Sequence, residues 1–404
     1  MGLFNQFPFT NFHEMNLDWI IKAIKENENK INEVNKEKNS PVFETVGDML
    51  KSNTDFRSCI CLKYSDKSNE VHKSYWEKTT EDYNGISILK GNGTNWKIYG
   101  EVDILSISDQ ILNYSEIINH LIEKEYRIFI PKGIFYFSVS INKRFRIRGS
   151  GLDTIIYPIN DIIFNLRSNG TALNDSYMRD MYAKSGGNNK TFFYCESINN
   201  NDNDMMDRCV FDNLKIENFA YAFNIKSRVI YNIFNMVNID GSLGYGIVVN
   251  NAGTNMAFNA NTFYNCDFQN CVNSAIYIRT STTEYKCIGN NFIACRIQGN
   301  LHNLGGMESS SIYAVDIYGY GDIFTFNNCY FENNNTKDTS KYIFSIGGTT
   351  YITIANSCFT LEGNIITNNT NCKCDIISCY KTTDITGNVT FGPGTTTVAY
   401  GNIQ

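Results

Sequence analysis

The chain has 404 residues, enough for one large domain or two to three smaller ones around a sizeable core. A formal net charge of -6 offers no basic face to nucleic acid or to an anionic membrane, and no stretch approaches the roughly 18 apolar residues of a membrane span. Asparagine is abundant, with 25 Tyr, 27 Phe and only 5 Pro, which is the composition of a turn-rich β protein and not of a disordered chain.

The opening MGLFNQFPFTNFHEMN has no basic n-region leading into an apolar run, so no signal peptide is expected. Gln6 stands where a myristoylation motif has Ser or Thr. From Asn16 the apolar positions alternate by three and four. Leu17, Ile24 and Ile31 occupy one core position of a heptad, and Ile20, Asn27 and Val34 the other. Asn16 caps the start, Asp18 lies in the favourable first turn, and NKEKNSP closes the helix. Such a stripe can lie on its own domain or pair with copies of itself. Its narrowness, with nothing globular before it, favours self-association, and Asn27 would fix the register. Residues 1–40 are thus expected to be a helix that self-associates through this seam.

Residues 41–101 read as a small β connector. A short helix over Val46–Ser52 is followed by the β-segments CICLKY, GISIL and NWKIYG, separated by Gly and Asn turns, with Trp76 and Trp96 among them. Thirteen cysteines, an odd number in a large chain, read as small reduced core residues of a protein made in a cytosol. The pairs Cys59/Cys61 and Cys372/Cys374 have no second pair at zinc spacing.

From Val102 to the end one architecture is expected, all-β. A helix pattern (Ile111, Ile117, Ile118, Leu121, Ile122) precedes RIFIPKGIFYFSV, two strands broken at Pro131–Gly133, and then RFRIRGSGLDTIIY, a strand pair around Gly149 and Gly151. A phrase then recurs: apolar, two residues, small apolar, one residue, apolar. It is met at Phe211/Leu214/Ile216, Phe234/Val237/Ile239, Phe263/Cys266/Phe268, Phe292/Cys295/Ile297, Phe326/Cys329/Phe331 and Ile354/Ser357/Phe359, more weakly at Thr386/Val389/Phe391. Each strong phrase but the last ends in a turn residue: Asn218, Gly241, Asn270, Gly299 or Asn333. A repeat of this length without a helix-length pattern predicts a parallel β-helix with loops of variable size.

Strand alternation then assigns the outward columns. One reads Lys215, Asn238, Asp267, Arg296, Tyr330, Cys358; the next reads Glu217, Asp240, Gln269, Gln298, Glu332, Thr360. Glu217, Asp240 and Asp267 fall on one face of three successive coils, and carboxylates on adjacent coils meet the roughly 5–9 Å separation of glycoside hydrolysis. They are the candidate catalytic residues, though outward positions of a β-helix are where charge belongs in any case, and Arg296 beside Asp267 also fits a plain ion pair. Asp316 with Tyr318, Tyr320 and Asp322 forms a second, weaker patch. No Trp lies in the β-helix, so Tyr277, Tyr313, Tyr318 and Tyr330, with Arg296, are the candidate glycan-binding residues; packing against another subunit is the competing role. The run NNNDNDMMD (Asn199–Asp207) lacks the Gly and Glu of a calcium-binding EF-hand loop and reads as a solvated loop. The four histidines are scattered, and no motif asks for a metal or cofactor.

The helix, Pro131–Lys132–Gly133 with Phe135 and Tyr136, the Ile147/Gly149/Gly151 strand and the Asn-rich coils resemble the pectate-lyase-like right-handed parallel β-helix superfamily. NFHEMNLDWIIKAIKENENK is similar to the leading helix of tail spikes and appendage proteins of short-tailed bacteriophages, and Thr45–Leu50 to the small domain that follows it there. The resemblance implies a virion component made in the host cytoplasm. It would be a homotrimer docked to other tail or collar proteins through its N-terminal helix, and it would adsorb to a host surface glycan. Some such proteins cleave the glycan and others only bind it or decorate the tail, and no catalytic motif is common to them.

Overall fold

The computed structural model describes residues 41–400 except 53–55, 64–72, 83, 108–113, 169–172, 188, 198–204, 251–256, 280–286, 305–307, 320, 335–339, 361–363, 369–371 and 382–397. The heptad residues Leu17, Ile20, Ile24, Asn27, Ile31 and Val34 lie outside the described residues. The chain forms two compact units, residues 1–109 and 110–404.

The first unit holds a five-stranded sheet in the order Val42–Thr45, Ser58–Lys63, Ser74–Thr79, Asn95–Tyr99, Ile88–Lys90. The first pair is parallel and the rest antiparallel. The helix Val46–Lys51 starts where expected because Thr45 and Asp48 form a capping box. Thr45 Oγ1 accepts from Asp48 N at 3.0 Å, and Asp48 Oδ2 accepts from Thr45 N at 3.2 Å. Trp76 and Trp96 are buried. Two strands, Val42–Thr45 and Ser74–Thr79, carry too little apolar alternation to be read from sequence.

The second unit opens with the helix Ser115–Glu123, which buries Ile117, Ile118, Leu121 and Ile122. Strands Arg127–Phe129, Gly133–Tyr136 and Val139–Ile141 follow, the first break falling at Pro131, which has no N–H for a ladder. From there the chain winds as a parallel β-helix, right-handed like other parallel β crossovers. Each early coil visits a first sheet (for example Val210–Glu217), a second (Tyr221–Lys226) and a third (Arg228–Ile230) before rejoining the first at Ile233–Asp240.

The recurring phrase is the first sheet. Phe211, Phe234, Phe263, Phe292, Phe326 and Ile354 are successive Cα partners. Their rings stack inside the coil, the first five at centroid spacings of 4.9, 4.4, 4.5 and 4.6 Å and nearly parallel. The two-residue gap in the phrase has a conformational cause. Asn213, Met236, Asn265, Ala294, Asn328 and Asn356 all take left-handed φ between 49° and 59°. That kink breaks strand alternation, so the Phe and the small residue after it both point inward. The five turn residues do the same at the next corner, with φ of 52–65°. One further rung lies upstream, Met178/Met181/Ala183. Another lies downstream, where Ile376 follows Ile354 and Cys379 closes the column. The weaker phrase at Thr386/Val389/Phe391 lies outside the described residues.

Three successive positions of the small inward column are thiols. Cys266, Cys295 and Cys329 each donate to the Phe carbonyl one coil back, at 3.2, 3.4 and 3.3 Å. All thirteen cysteines are free and all but Cys358 are buried. Burial pushes the thiols of Cys209 and Cys271 up to about 12. An aromatic disulfide reagent applied to the folded protein should therefore titrate Cys358 alone, with the remainder appearing only in denaturant. Prompt reaction of several native thiols would contradict this packing.

The corners carry buried asparagines. Asn232, Asn261 and Asn290 form one ladder and Asn300 and Asn334 another, each amide accepting from the residue one coil before it. The high asparagine content thus has two uses, left-handed turns outside and hydrogen-bonded ladders within.

Candidate functional site

The first sheet presents both expected outward columns in register. Lys215, Asn238, Asp267, Arg296, Tyr330 and Cys358 are successive partners, as are Glu217, Asp240, Gln269, Gln298, Glu332 and Thr360. The carboxylates there are already engaged. Glu217 accepts from the Tyr182 hydroxyl and lies 3.1 Å from both Lys184 and Lys215 Nζ. Burial pushes its pKa up, but those three donors outweigh it and hold Glu217 below the usual carboxylate range. Asp267 is gripped bidentately by Arg296, whose Nε lies 2.8 Å from Oδ1. Asp240 accepts from Asn270 Nδ2 at 2.9 Å. As seated, Glu217 and Asp267 are each tied to cations, which suits anchoring more than proton donation.

A carboxylate of the opposite character sits on the same sheet. Asp212 is held above its ordinary value, first by burial and then by the charge of Asp180, while Asn235 Nδ2 donates to it at 2.7 Å and pulls the other way. Asp180 is itself bonded to Asn213 Nδ2 at 2.8 Å, and it takes a left-handed φ of 58°. That kink carries its side chain out of the alternation from which the outward columns were counted, which is why the pair was not read from sequence.

The second sheet gathers three of the four candidate tyrosines. Tyr277 and Asp316 are Cα partners, and so are Arg279 and Tyr318 on the same two coils. The Arg279 guanidinium lies between the rings, 5.3 Å from Tyr277 and 5.4 Å from Tyr318, and its Nη2 is 2.5 Å from Asp316 Oδ2. Asp316 is buried, and burial raises its pKa although Arg279 and Ser345 draw it back; its Oδ1 is buried with no hydrogen-bond partner. Tyr313 stands beside this group, 6.2 Å from the Tyr342 ring, its pKa raised by burial and then by the Asp316 charge. Toward the N-terminal coils the aromatic run continues as Tyr277 to Tyr245 (5.2 Å) and Tyr245 to Tyr221 (6.1 Å, nearly parallel). Tyr330 and Arg296 belong to the first sheet instead. Asp322 turns inward at a corner, where its Oδ1 accepts from Cys287 N, and Tyr320 lies outside the described residues.

A run of half-exposed phenol rings, edged by an arginine with its cation already neutralised, suits the apolar faces and hydroxyl edges of sugar rings. Among the described residues no three His, Cys, Asp or Glu side chains converge as a metal set, and no helix is long and apolar enough to cross a membrane.

No protein-family model matches the chain, and no curated protein matches it in sequence. The fold is that of phage tailspikes with parallel β-helices. The chain is similar to the enzymatically active domain of tailspike protein 4 of bacteriophage CBA120, at 13% identity and a TM-score of 0.58, covering 93% of this chain and 54% of that one. It is similar to the gp42 tailspike of Acinetobacter phage vb_AbaP_AS12 (11%, TM-score 0.62, 85% of this chain and 63% of that one). The tailspike of Acinetobacter phage vB_ApiP_P1 is a third (16%, TM-score 0.54, 85% and 65%). The chain thus spans about half to two thirds of the length of these structures.

Proposed function

We propose that this protein is a tail spike of a bacteriophage virion that adsorbs to a host surface polysaccharide through the outward face of its second β-helix sheet. The observation that carries the reading is the tyrosine run from Tyr221 to Tyr342 built around the Arg279–Asp316 pair. The fold shared with tailspikes agrees with it. In this reading the heptad seam of residues 17–34 joins three copies and docks them to other tail proteins, and light scattering should give three times the chain mass. The candidate binders Tyr277, Tyr313 and Tyr318 then lie at the glycan, while Arg296 and Tyr330, on the first sheet, stay outside the contact.

A second reading, cleavage of the glycan, draws on one specific observation: Asp212, with its raised pKa, beside Asp180 on the preceding coil. In that reading Asp212, held above its ordinary value, would serve as the acid and Asp180 as the second carboxylate. Glu217, Asp240 and Asp267, proposed from the sequence for that role, would position the chain through their lysine, amide and arginine partners. Reducing-end release from host polysaccharide tests the pair of readings. Adsorption without release is the expected result. Release lost in Asp212→Asn but kept in Asp240→Ala and Asp267→Ala would make the protein a depolymerase with its acid at Asp212. Release lost in the latter two would return the chemistry to the columns first read from the sequence. Absence of both adsorption and release would overturn the proposal.

A further inference from the structure

The third sheet is the smallest, and its first two rungs hold an arrangement that neither reading above uses. Strands Leu173–Asn174 and Met205–Asp207 pair in parallel, with Asn174 and Asp207 as Cα partners. Asp207 is 5% exposed, and its Oδ1 is buried with no hydrogen-bond partner; Asn174 Oδ1, on the facing rung, is likewise buried and unpartnered. On its other side Asp207 faces Ile230, which offers no polar side-chain atom. Among the described residues the cation beside Asp207 is already engaged: Arg208 Nη1 lies 2.6 Å from Asp207 Oδ2, and its Nε donates to Asp175 Oδ1 at 3.3 Å. Asp175, Asp207 and Arg208 therefore sum to one net negative charge, with two acceptor oxygens left without donors.

We propose that Asn174 Oδ1 and Asp207 Oδ1 are ligands of a calcium ion bridging these two rungs. The chemistry of the donor set is hard oxygen, one carboxylate and one amide, which calcium accepts in irregular numbers alongside water and backbone carbonyls. The spacing agrees: parallel rungs lie about 4.8 Å apart, close to twice the roughly 2.3–2.6 Å calcium–oxygen contact. Magnesium, with its shorter contacts and strict octahedron, fits that span less well. The unpartnered oxygens are also what an isolated fold should avoid, because each buried acceptor without a donor is costly. The raised pKa of Asp207, due first to burial and, against the pull of Arg208, to the Asp175 charge, reports the same local excess of negative charge. With one net charge the affinity belongs to the weak end of calcium sites, a Kd of about 0.1–1 mM.

The test is thermal unfolding of the full chain in 1 mM EDTA and in 10 mM CaCl2, with NaCl at matched ionic strength as control. The expected result is a calcium-specific rise in Tm of about 2–4 °C. Asp207→Asn keeps the shape of the side chain, and its amide can serve the Asn174 oxygen, so that variant should fold and lose the calcium response. Asn174→Asp adds a carboxylate and should make the response saturate at least tenfold lower in calcium. The bland alternative is that the Asn174 amide turns over and donates to Asp207. In that case wild type shows no calcium response and Asn174→Asp is destabilised at every calcium concentration, which overturns the proposal. A response that persists in Asp207→Asn, or is matched by NaCl, overturns it equally.

Discussion

Asn261→Ala is expected to destabilise the β-helix by about 3–5 kcal/mol, near the upper end for a single substitution. The side chain is fully buried at the corner where the chain re-enters the first sheet. It makes four hydrogen bonds. Oδ1 accepts from Asn232 N at 3.1 Å and from Asn232 Nδ2 at 2.9 Å, while Nδ2 donates to Val229 O and to Asn290 Oδ1, both at 3.0 Å. Truncation leaves the backbone N–H of Asn232 buried without a partner, at a cost of about 1–3 kcal/mol, and removes three further hydrogen bonds at about 1 kcal/mol each, although Asn232 Nδ2 keeps Met206 O and Ile230 O. The damage also falls between coils. A solenoid's stability is a sum of neighbour interfaces, so weakening one in the middle of the stack divides the body in two. Urea unfolding followed by far-UV circular dichroism measures the effect, with Gln269→Ala on the outward face of the same coil as a reference expected to stay within about 0.5 kcal/mol. A loss below 1 kcal/mol in Asn261→Ala would mean that water replaces the ladder and that the corner is not sealed.

The same asparagine marks the boundary of what the sequence makes legible. The first sheet could be counted because six coils repeat one inward pattern, and every register step between Phe211 and Ile354 follows from it. The outward columns through Glu217 and Asp267 follow by alternation. Three things lay beyond that logic. Buried Asn232, Asn261 and Asn290 are polar residues facing inward, which an apolar pattern treats as gaps. Asp180 sits at a left-handed kink, so its companionship with Asp212 is invisible to period-two counting. Tyr277 and Asp316 are 39 residues apart in sequence yet adjacent in the sheet, because the connection between their coils has its own length. Only the folded register joins Arg279 to both tyrosines. The two-residue strand Leu173–Asn174 is too short to carry any pattern at all.

Gly347→Ala should lower polysaccharide adsorption at least tenfold while leaving the coils folded. Gly347 is the Cα partner of Tyr318 on the next coil, and the Tyr318 ring lies across it; a β-carbon there would overlap the ring itself. The ring must turn away, and Arg279 then loses one of the two aromatic faces that hold it. Buried aromatic and arginine anchors each contribute about 2 kcal/mol or more where they centre an interface, and tenfold is about 1.4 kcal/mol. The backbone of Gly347 is not the obstacle, since its φ lies outside the left-handed region, unlike that of Gly348 beside it at 72°. Tyr277→Ala should match the loss by removing the other face. Tyr330→Ala, on the first sheet, should bind as wild type. The comparison needs only immobilised polysaccharide and a dilution series of each variant, with Tm recorded for each. Wild-type adsorption by Gly347→Ala and Tyr277→Ala, with loss in Tyr330→Ala, would move the glycan to the first sheet beside Arg296. Unchanged adsorption accompanied by a smaller particle in light scattering would make the tyrosine face the contact between copies of the chain, so that the half-exposed rings serve assembly and recognition lies elsewhere on the coil.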